Sequence, residues 1–429
     1  MSKISDIAIV VGSGITPSKN NPNFWNREDI PWLRTEQLGS YKIYDTKEYI
    51  SQVALKETNI TIYPKNTVSV AMYGEGKTRG KVSILAVPMT TNQACCNIVI
   101  DETKANYLYV YYWLLNSYSK LRNLASGVRK NLNSYDIKNF EIDIKSLHKQ
   151  DMIASLLSVL DDKIDNNKQI NAELEEMAKC IYDYWFLQFD FPDKNGKPYK
   201  SSGGKMVWNE VLQKEIPIGW EIGRIDHFIK NDKGGDWGKD SEQGNYIKKV
   251  TCLRGTDFSA VSGWEELEAP ERYILEKNSY KLLADGDLII EISGGSPTQS
   301  TGRICYINKN VLKRFDNDII TSNFCKAIEL NNKEFMYWFY IFWSNLYENN
   351  VFFKYEGKTT GIKNLLFGML CTDYKIIIPD EIVIKNFNAK VQGLFETIQN
   401  NQLENQELIK LRDFLLPLLM NGQVTFKEE

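Results

Sequence analysis

Histidine is almost missing from this chain, with two in 429 residues. Neither His148 nor His227 has a cysteine at metal-ligand spacing, so both read as structural residues near domain edges. The seven cysteines are an odd number scattered through apolar contexts, which argues against a disulfide framework. Cys95 and Cys96 are adjacent rather than spaced for zinc. No run approaches the roughly 18 apolar residues that a membrane span requires. The opening Met1-Ser2-Lys3-Ile4-Ser5-Asp6 lacks a signal-peptide pattern. A soluble protein of a reducing compartment, the cytoplasm, is therefore expected. A dominant charge is missing too: 52 Lys+Arg stand against 55 Asp+Glu.

What is present is enough for two or three packed domains, since 43% of the residues are apolar and 12% aromatic. Charge is unevenly spread. Residues 1–150 carry 19 basic and 13 acidic groups, a balance of +6. The balance is −4 over 151–220, −3 over 221–380 and −2 over 381–429. The first segment could meet a phosphate backbone unaided; the third would need local patches.

The chain repeats itself. Ser126-Gly-Val-Arg-Lys-Asn-Leu132 is answered by Thr360-Gly-Ile-Lys-Asn-Leu-Leu366, with Gly127 and Gly361 separated by 234 positions. The same offset relates Leu160 to Leu394, Ile164 to Ile398, Asn167 to Asn401, Asn171 to Asn405 and Leu174 to Leu408. Upstream it shrinks to 220, where Leu33-Arg34 answers Leu253-Arg254. These matched positions step by threes and fours, the seam of a coiled coil. Asparagine at the same two places in both seams costs stability but fixes register, because each amide must find a polar partner. Each helix of about 35 residues would span roughly 50 Å. Pro417 and Asn421-Gly422 close the second. Before the helices the chain reads as mixed, with strands at Ile60–Tyr63, Val68–Tyr73, Asp287–Ser293 and Gly302–Ile307, and short helices at Ala105–Asn116 and Lys333–Leu346.

No catalytic motif in the chain is complete. Ala71-Met-Tyr-Gly-Glu-Gly-Lys77-Thr78 fits a relaxed phosphate loop, but a strand-like Val82–Leu85 follows where a helix is required. A hairpin with a basic, glycine-rich tip is the better reading. Asn21-Pro22-Asn23-Phe24 is similar to the Asn-Pro-Pro-Tyr/Phe motif of amino-methyltransferases, yet lacks the second proline and a cofactor loop ahead of it. What remains are polar loop tips, whose side chains are of the types that grip phosphates and read base edges. They are Lys77, Thr78, Arg79, Lys81, Arg122, Arg129 and Lys130 in the first copy, and Ser293, Gln299, Ser300, Arg303, Lys358 and Lys363 in the second.

The order and duplication of several local sequences resemble the specificity subunit of type I restriction–modification enzymes over nearly the whole chain. The carriers in the first copy are Ser13-Gly-Ile-Thr16-Pro17, Phe24-Trp25 and Asp29-Ile-Pro-Trp-Leu33, followed by Leu157–Phe186, Asn195–Met206 and Ile216-Pro-Ile-Gly-Trp220. The second copy adds Thr359–Leu365 and Leu411–Gly422. Near its start, Lys233-Gly-Gly-Asp-Trp237 replaces the Gly-Thr-Pro-like element, which leaves the first strands of that domain open. The resemblance implies an α+β fold: two tandem target-recognition domains at 1–150 and 221–380, and two long antiparallel coiled-coil helices at 151–189 and 381–429. Residues 190–220 would connect them within a pseudo-two-fold repeat. It further implies a non-catalytic chain reading a bipartite, asymmetric stretch of double-stranded DNA. Two methyltransferase subunits and restriction/translocase subunits would be its partners, and would hold S-adenosylmethionine, ATP and magnesium. Two other readings stay open: a specificity chain of another restriction class, and a coiled-coil adaptor that binds protein.

Overall fold

A computed structural model of the chain describes residues 1–25, 28–74, 76–124, 131–262, 267–294, 299–359 and 362–425. It divides into two units. One holds Met1–Asn166 with Asn405–Glu429, and the other holds Asn167–Glu404.

The main sheet of the first unit has the strand order Ala8–Ser13, Cys95–Ile100, Val68–Ala71, Val82–Leu85 and Lys42–Ile43. Neighbours are antiparallel except the last pair. Beside it, Ile30–Leu33 pairs antiparallel with Glu48–Ile50 and parallel with Thr90–Thr91. Ser2–Lys3 pairs with Glu141–Ile142.

The second unit repeats this plan. Its main sheet runs Ile229–Gly234, Cys325–Leu330, Leu288–Glu291 and Ile304–Tyr306, all antiparallel. Tyr246–Leu253 pairs antiparallel with Glu271–Leu275 and parallel with Ile319–Thr321. Glu221–Arg224 pairs with Lys375–Ile378. The four strands of the main sheet repeat the order and pairing of the first four in the other unit, and among the described residues Lys42–Ile43 has no counterpart in this sheet. A further sheet of Ser293–Gly294, Ile362–Leu365 and Glu356–Thr359 belongs to the second unit. Gly127 and Gly361, the glycines that fix the repeat offset, lie outside the described residues.

The first strand of the second domain is thus present, and the divergent Lys233–Trp237 element has a clear counterpart. A Cβ on Gly14 would overlap the Thr91 carbonyl, and one on Gly235 would overlap that of Ser322. In both places the chain passes too close to a neighbouring backbone for any side chain. The amides that follow are held alike, Ile15 N–H donating to the Thr91 carbonyl (3.0 Å) and Asp236 N–H to that of Thr321 (2.9 Å).

Several strands differ from the expected ones. Ile60–Tyr63 forms no strand, and only Tyr63 makes an isolated bridge, to Met89. Val68–Ala71, Val82–Leu85 and Leu288–Glu291 are buried at every residue rather than alternately. Both faces of these sheets are covered, and a strand covered on both faces shows no alternation. Aromatic helices do the covering: Tyr107–Asn116 in the first unit and Met336–Glu348 in the second. The latter buries Trp338, Phe339 and Trp343 fully, each stabilising the core by about 1.5–3 kcal/mol.

The long helices run Leu147–Tyr182, continued by a π-helical turn at Asp183–Leu187, and Glu381–Met420. At 1.5 Å per residue they are about 54 and 60 Å long. Pro417 sits in the last turn of the second, and Gly422, with φ +70°, follows its end. Within each unit the two helices are antiparallel. In the second unit Asn167 donates to the Glu404 carboxylate (2.8 Å), Asn401 to the Asn171 side-chain oxygen (2.8 Å), and Tyr182 meets Phe387. Ile164, Asn167, Asn171, Ile398 and Asn405 are buried, while Leu160, Leu174, Leu394, Asn401 and Leu408 are half-buried. Asp161 takes the buried place expected for Leu160. The helix faces its domain as well as its partner helix, and the wider contact broadens the buried stripe to include Asp161.

Candidate nucleic-acid interface

Strand register gathers the polar loops at one end of each main sheet. In the first unit Ser13 lies opposite Cys96, Ala71 opposite Cys95, and Val70 opposite Val82. The loops at 14–19, 72–81 and 92–94 therefore leave the sheet together. In the second unit Gly234 lies opposite Lys326, Glu291 opposite Cys325, and Ile290 opposite Ile304. The loops at 235–239, 292–303 and 322–324 do the same.

The 72–81 segment is a hairpin between Val68–Ala71 and Val82–Leu85, with no helix after it. Its shape is fixed from the side. Arg122 donates to the Gly76 carbonyl (2.8 Å), the Arg79 carbonyl (3.5 Å) and the Tyr118 hydroxyl (2.8 Å). Tyr118 in turn donates to the Lys77 carbonyl (2.7 Å). Arg122, expected as an open contact, is thus a brace that positions Lys77, Thr78 and Arg79. Lys77 is exposed, and Thr78, Arg79 and Lys81 are half-buried. Arg129 and Lys130 lie outside the described residues.

In the second unit two of the expected cations, Arg303 and Lys363, are turned inward. Arg303 makes two bonds, 2.9 and 2.7 Å, to the buried Glu291 carboxylate. Lys363 pairs with Glu356 at 3.0 Å and donates to the Gln299 carbonyl (3.3 Å). Ser300, only 4% exposed, donates to Glu356 (3.0 Å), whose oxygen also receives the Thr301 amide (2.8 Å). Burial works against ionisation of Glu356, but the Thr301 amide, Lys363 and Ser300 hold its carboxyl below the usual range. Ser293 donates to the Asn364 side chain (2.5 Å). Gln299 is exposed. Lys358 lies in the strand Glu356–Thr359, its side chain outside the described residues. Ser300, Arg303 and Lys363 thus shape their loops rather than offer free charge.

Sequence reasoning missed the acids responsible, Glu291 and Glu356. The one signal for Glu291 was a lone carboxylate in the apolar run Leu288-Ile-Ile-Glu-Ile292. Among the described residues no group of three or more His, Cys, Asp or Glu is placed to hold a metal ion. Six buried thiols, Cys95, Cys96, Cys252, Cys305, Cys325 and Cys371, are pushed up to about 12, burial being the main cause. Among the described residues no helix is long and apolar enough to cross a membrane.

Two strand-framed loop clusters, one per repeat, are what a DNA reader of two half-sites would present, and known proteins bear on that directly. Residues 1–176 match the type I restriction modification DNA specificity domain. The MjaIX specificity subunit of Methanocaldococcus jannaschii is 29% identical over all of this chain and 94% of its own length. Over its first 176 residues the chain is thus similar to that specificity domain, and over its whole length to a type I specificity subunit. The EcoR124I/EcoR124II specificity subunit of Escherichia coli is 25% identical over 42% of this chain and 45% of its own length. The fold is shared with the type I specificity subunit from M. genitalium, at 16% identity and a TM-score of 0.54, covering 100% of this chain and 96% of that one. These likenesses favour a type I specificity subunit over the adaptor and other-class readings.

Proposed function

We propose that each unit reads one half of a bipartite, asymmetric DNA target, and that the long helices set the unread gap between the halves. The observation that carries this reading is the recurrence of one four-stranded sheet plan under two different sets of loops. A shared framework suits the shared geometry of DNA, and different loops suit different bases. Two methyltransferase subunits supply S-adenosylmethionine and methylate adenine. Restriction subunits supply ATP- and magnesium-dependent translocation and cleavage. This chain contributes recognition and scaffolding without chemistry of its own, in the cytoplasm. Lys77, Thr78, Arg79 and Lys81 are the first-unit residues best placed to face DNA.

The test is a domain exchange. Residues 1–150 are replaced by the corresponding domain of a relative, and methylated adenines are mapped genome-wide with the same methyltransferase partner. One half of the methylated site should change and the other should persist. A change in both halves would sink the division of labour.

A further inference from the structure

Leu33-Arg34 and Leu253-Arg254 occupy the same place in the two units to the level of single bonds. Leu33 and Leu253 are both fully buried, each ending the strand that pairs in parallel with its neighbour. Their carbonyls accept from Asn92 N–H (2.9 Å) and Ser322 N–H (2.8 Å). Arg34 and Arg254 follow with near-identical backbones, φ −105°, ψ 152° and φ −106°, ψ 162°. Each opens a single 3-10 turn, Thr35–Gln37 or Gly255–Asp257. Asn92 leads to Cys95 and Ser322 to Cys325, so both arginines stand at the sheet end where the loops gather.

The side chains, 46% and 38% exposed, do different things inside the protein. Arg34 meets Glu36 and Glu48 only loosely, each at 3.5 Å. Arg254 is held by Asp257 through Nε (2.9 Å) and Nη2 (2.7 Å), and Nη2 also reaches the Glu268 carbonyl (3.2 Å). None of these contacts of Arg254 uses Nη1. Each arginine meets an acid of the turn it opens, but Glu36 stands two positions on and touches Arg34 at 3.5 Å, whereas Asp257 stands three on and holds Arg254 by two bonds. The shared backbone place is kept more closely than the internal contact.

Two domains that meet different bases share one ligand, the sugar–phosphate backbone. We infer that Arg34 and Arg254 are matched phosphate anchors, one per domain, each gripping the DNA backbone at the same point of its half-site irrespective of sequence. Guanidinium suits this role, because its planar fork keeps donors for phosphate while other donors are fixed by a carboxylate. Asp257 then aims Arg254 rather than disabling it. The inference rests on the DNA-reading function proposed above.

The experiment uses the full chain co-expressed with the methyltransferase of its own system. Binding to a random-sequence duplex is measured across salt concentrations, and methylated adenines are mapped in cells. Arg34→Ala and Arg254→Ala should each weaken binding by about tenfold and reduce the salt slope by about one unit. The methylated sequence should be unchanged. Arg34→Lys and Arg254→Lys should keep the slope. Arg224→Ala, at a strand that pairs beside the start of the second long helix, should alter neither. Melting temperatures guard against misfolding; should Arg254→Ala unfold, Arg34→Ala, whose partners are surface ion pairs, and Arg254→Lys decide. An unchanged slope in Arg34→Ala, or a changed base in one half-site, would overturn the inference. A wild-type complex that bound no DNA would instead overturn the proposed function itself.

Discussion

Asp161 shows how one residue can tie a helix to both its neighbours. Its carboxylate is 1% exposed, accepts from Tyr112 (2.7 Å) and Arg412 (2.8 Å), and so links the first long helix to its domain and to the second helix within one unit. Burial pushes this carboxyl above its usual value, while Arg412 and Tyr112 pull it down. Arg412→Ala removes the counter-charge and should cost about 3–5 kcal/mol. An acid whose folded pKa is raised adds most stability below its ordinary value, near pH 4, and loses it as pH rises through the folded value. The deficit of Arg412→Ala should therefore be smallest near pH 4 and largest at neutral pH, as urea unfolding at the two values would show. Equal deficits would mean that Asp161 is solvated. The thiols offer a second check at this scale. Six are buried and Cys180 is exposed, so native protein should take up one equivalent of iodoacetamide at pH 8, and all seven after denaturation.

At the scale of elements, the loops divide by how their charges are spent. Lys77→Ala and Arg79→Ala should lower the salt slope of DNA binding by about one unit each. Arg303→Ala and Lys363→Ala should leave the slope alone and lower the melting temperature, since each would leave a buried carboxylate unpaired. Arg122→Ala should speed amide exchange across residues 76–80 by about tenfold, because two carbonyls lose a charged donor. This division was not legible in the sequence. Glu291 is twelve positions from Arg303, and Glu356 is 56 from Ser300, so nothing local announced their pairing. The helices were legible because a seam such as Leu157, Ile164 and Asn171 repeats in a fixed period. Asp161 was not, because its partner Tyr112 comes from a different element. Ile60–Tyr63 alternated like a strand, but alternation without a partner strand makes none.

At the scale of the whole molecule, the repeat was readable from matched glycines and leucines, whereas its sheet order was not. Strand order is set by pairings between distant positions, such as Ala8 with Ile100 and Ile229 with Leu330, which periodicity does not encode. The proposed ruler makes a specific prediction here. Four residues inserted into the first long helix add about 6 Å and should lengthen the unread gap by one or two base pairs at about 3.4 Å each. Both half-site sequences should stay intact in a methylated-adenine map. Since four residues enter a heptad seam only as a stutter, some stability should be lost as well. An altered half-site with an unaltered gap would refute the ruler.

The first unit is sealed by residues from the far end of the chain: Leu416, Leu419 and Met420 lie in the same core as Ile4, Tyr109 and Leu157. Between its two pieces stands all of the second unit, Asn167–Glu404. During synthesis the first unit has to wait. At about 5–20 residues per second, the ribosome needs on the order of 10–50 s to make the intervening stretch. Through that interval the nascent first domain shows bare apolar surface where the last helix will lie. The second unit, whose residues are contiguous, can close first, so the usual order of maturation from the amino end is inverted. On stalled nascent chains extended at residue 429 by a linker long enough to fill the exit tunnel, a bound holding chaperone should accordingly be lost once residue 420 emerges, rather than when residue 166 does.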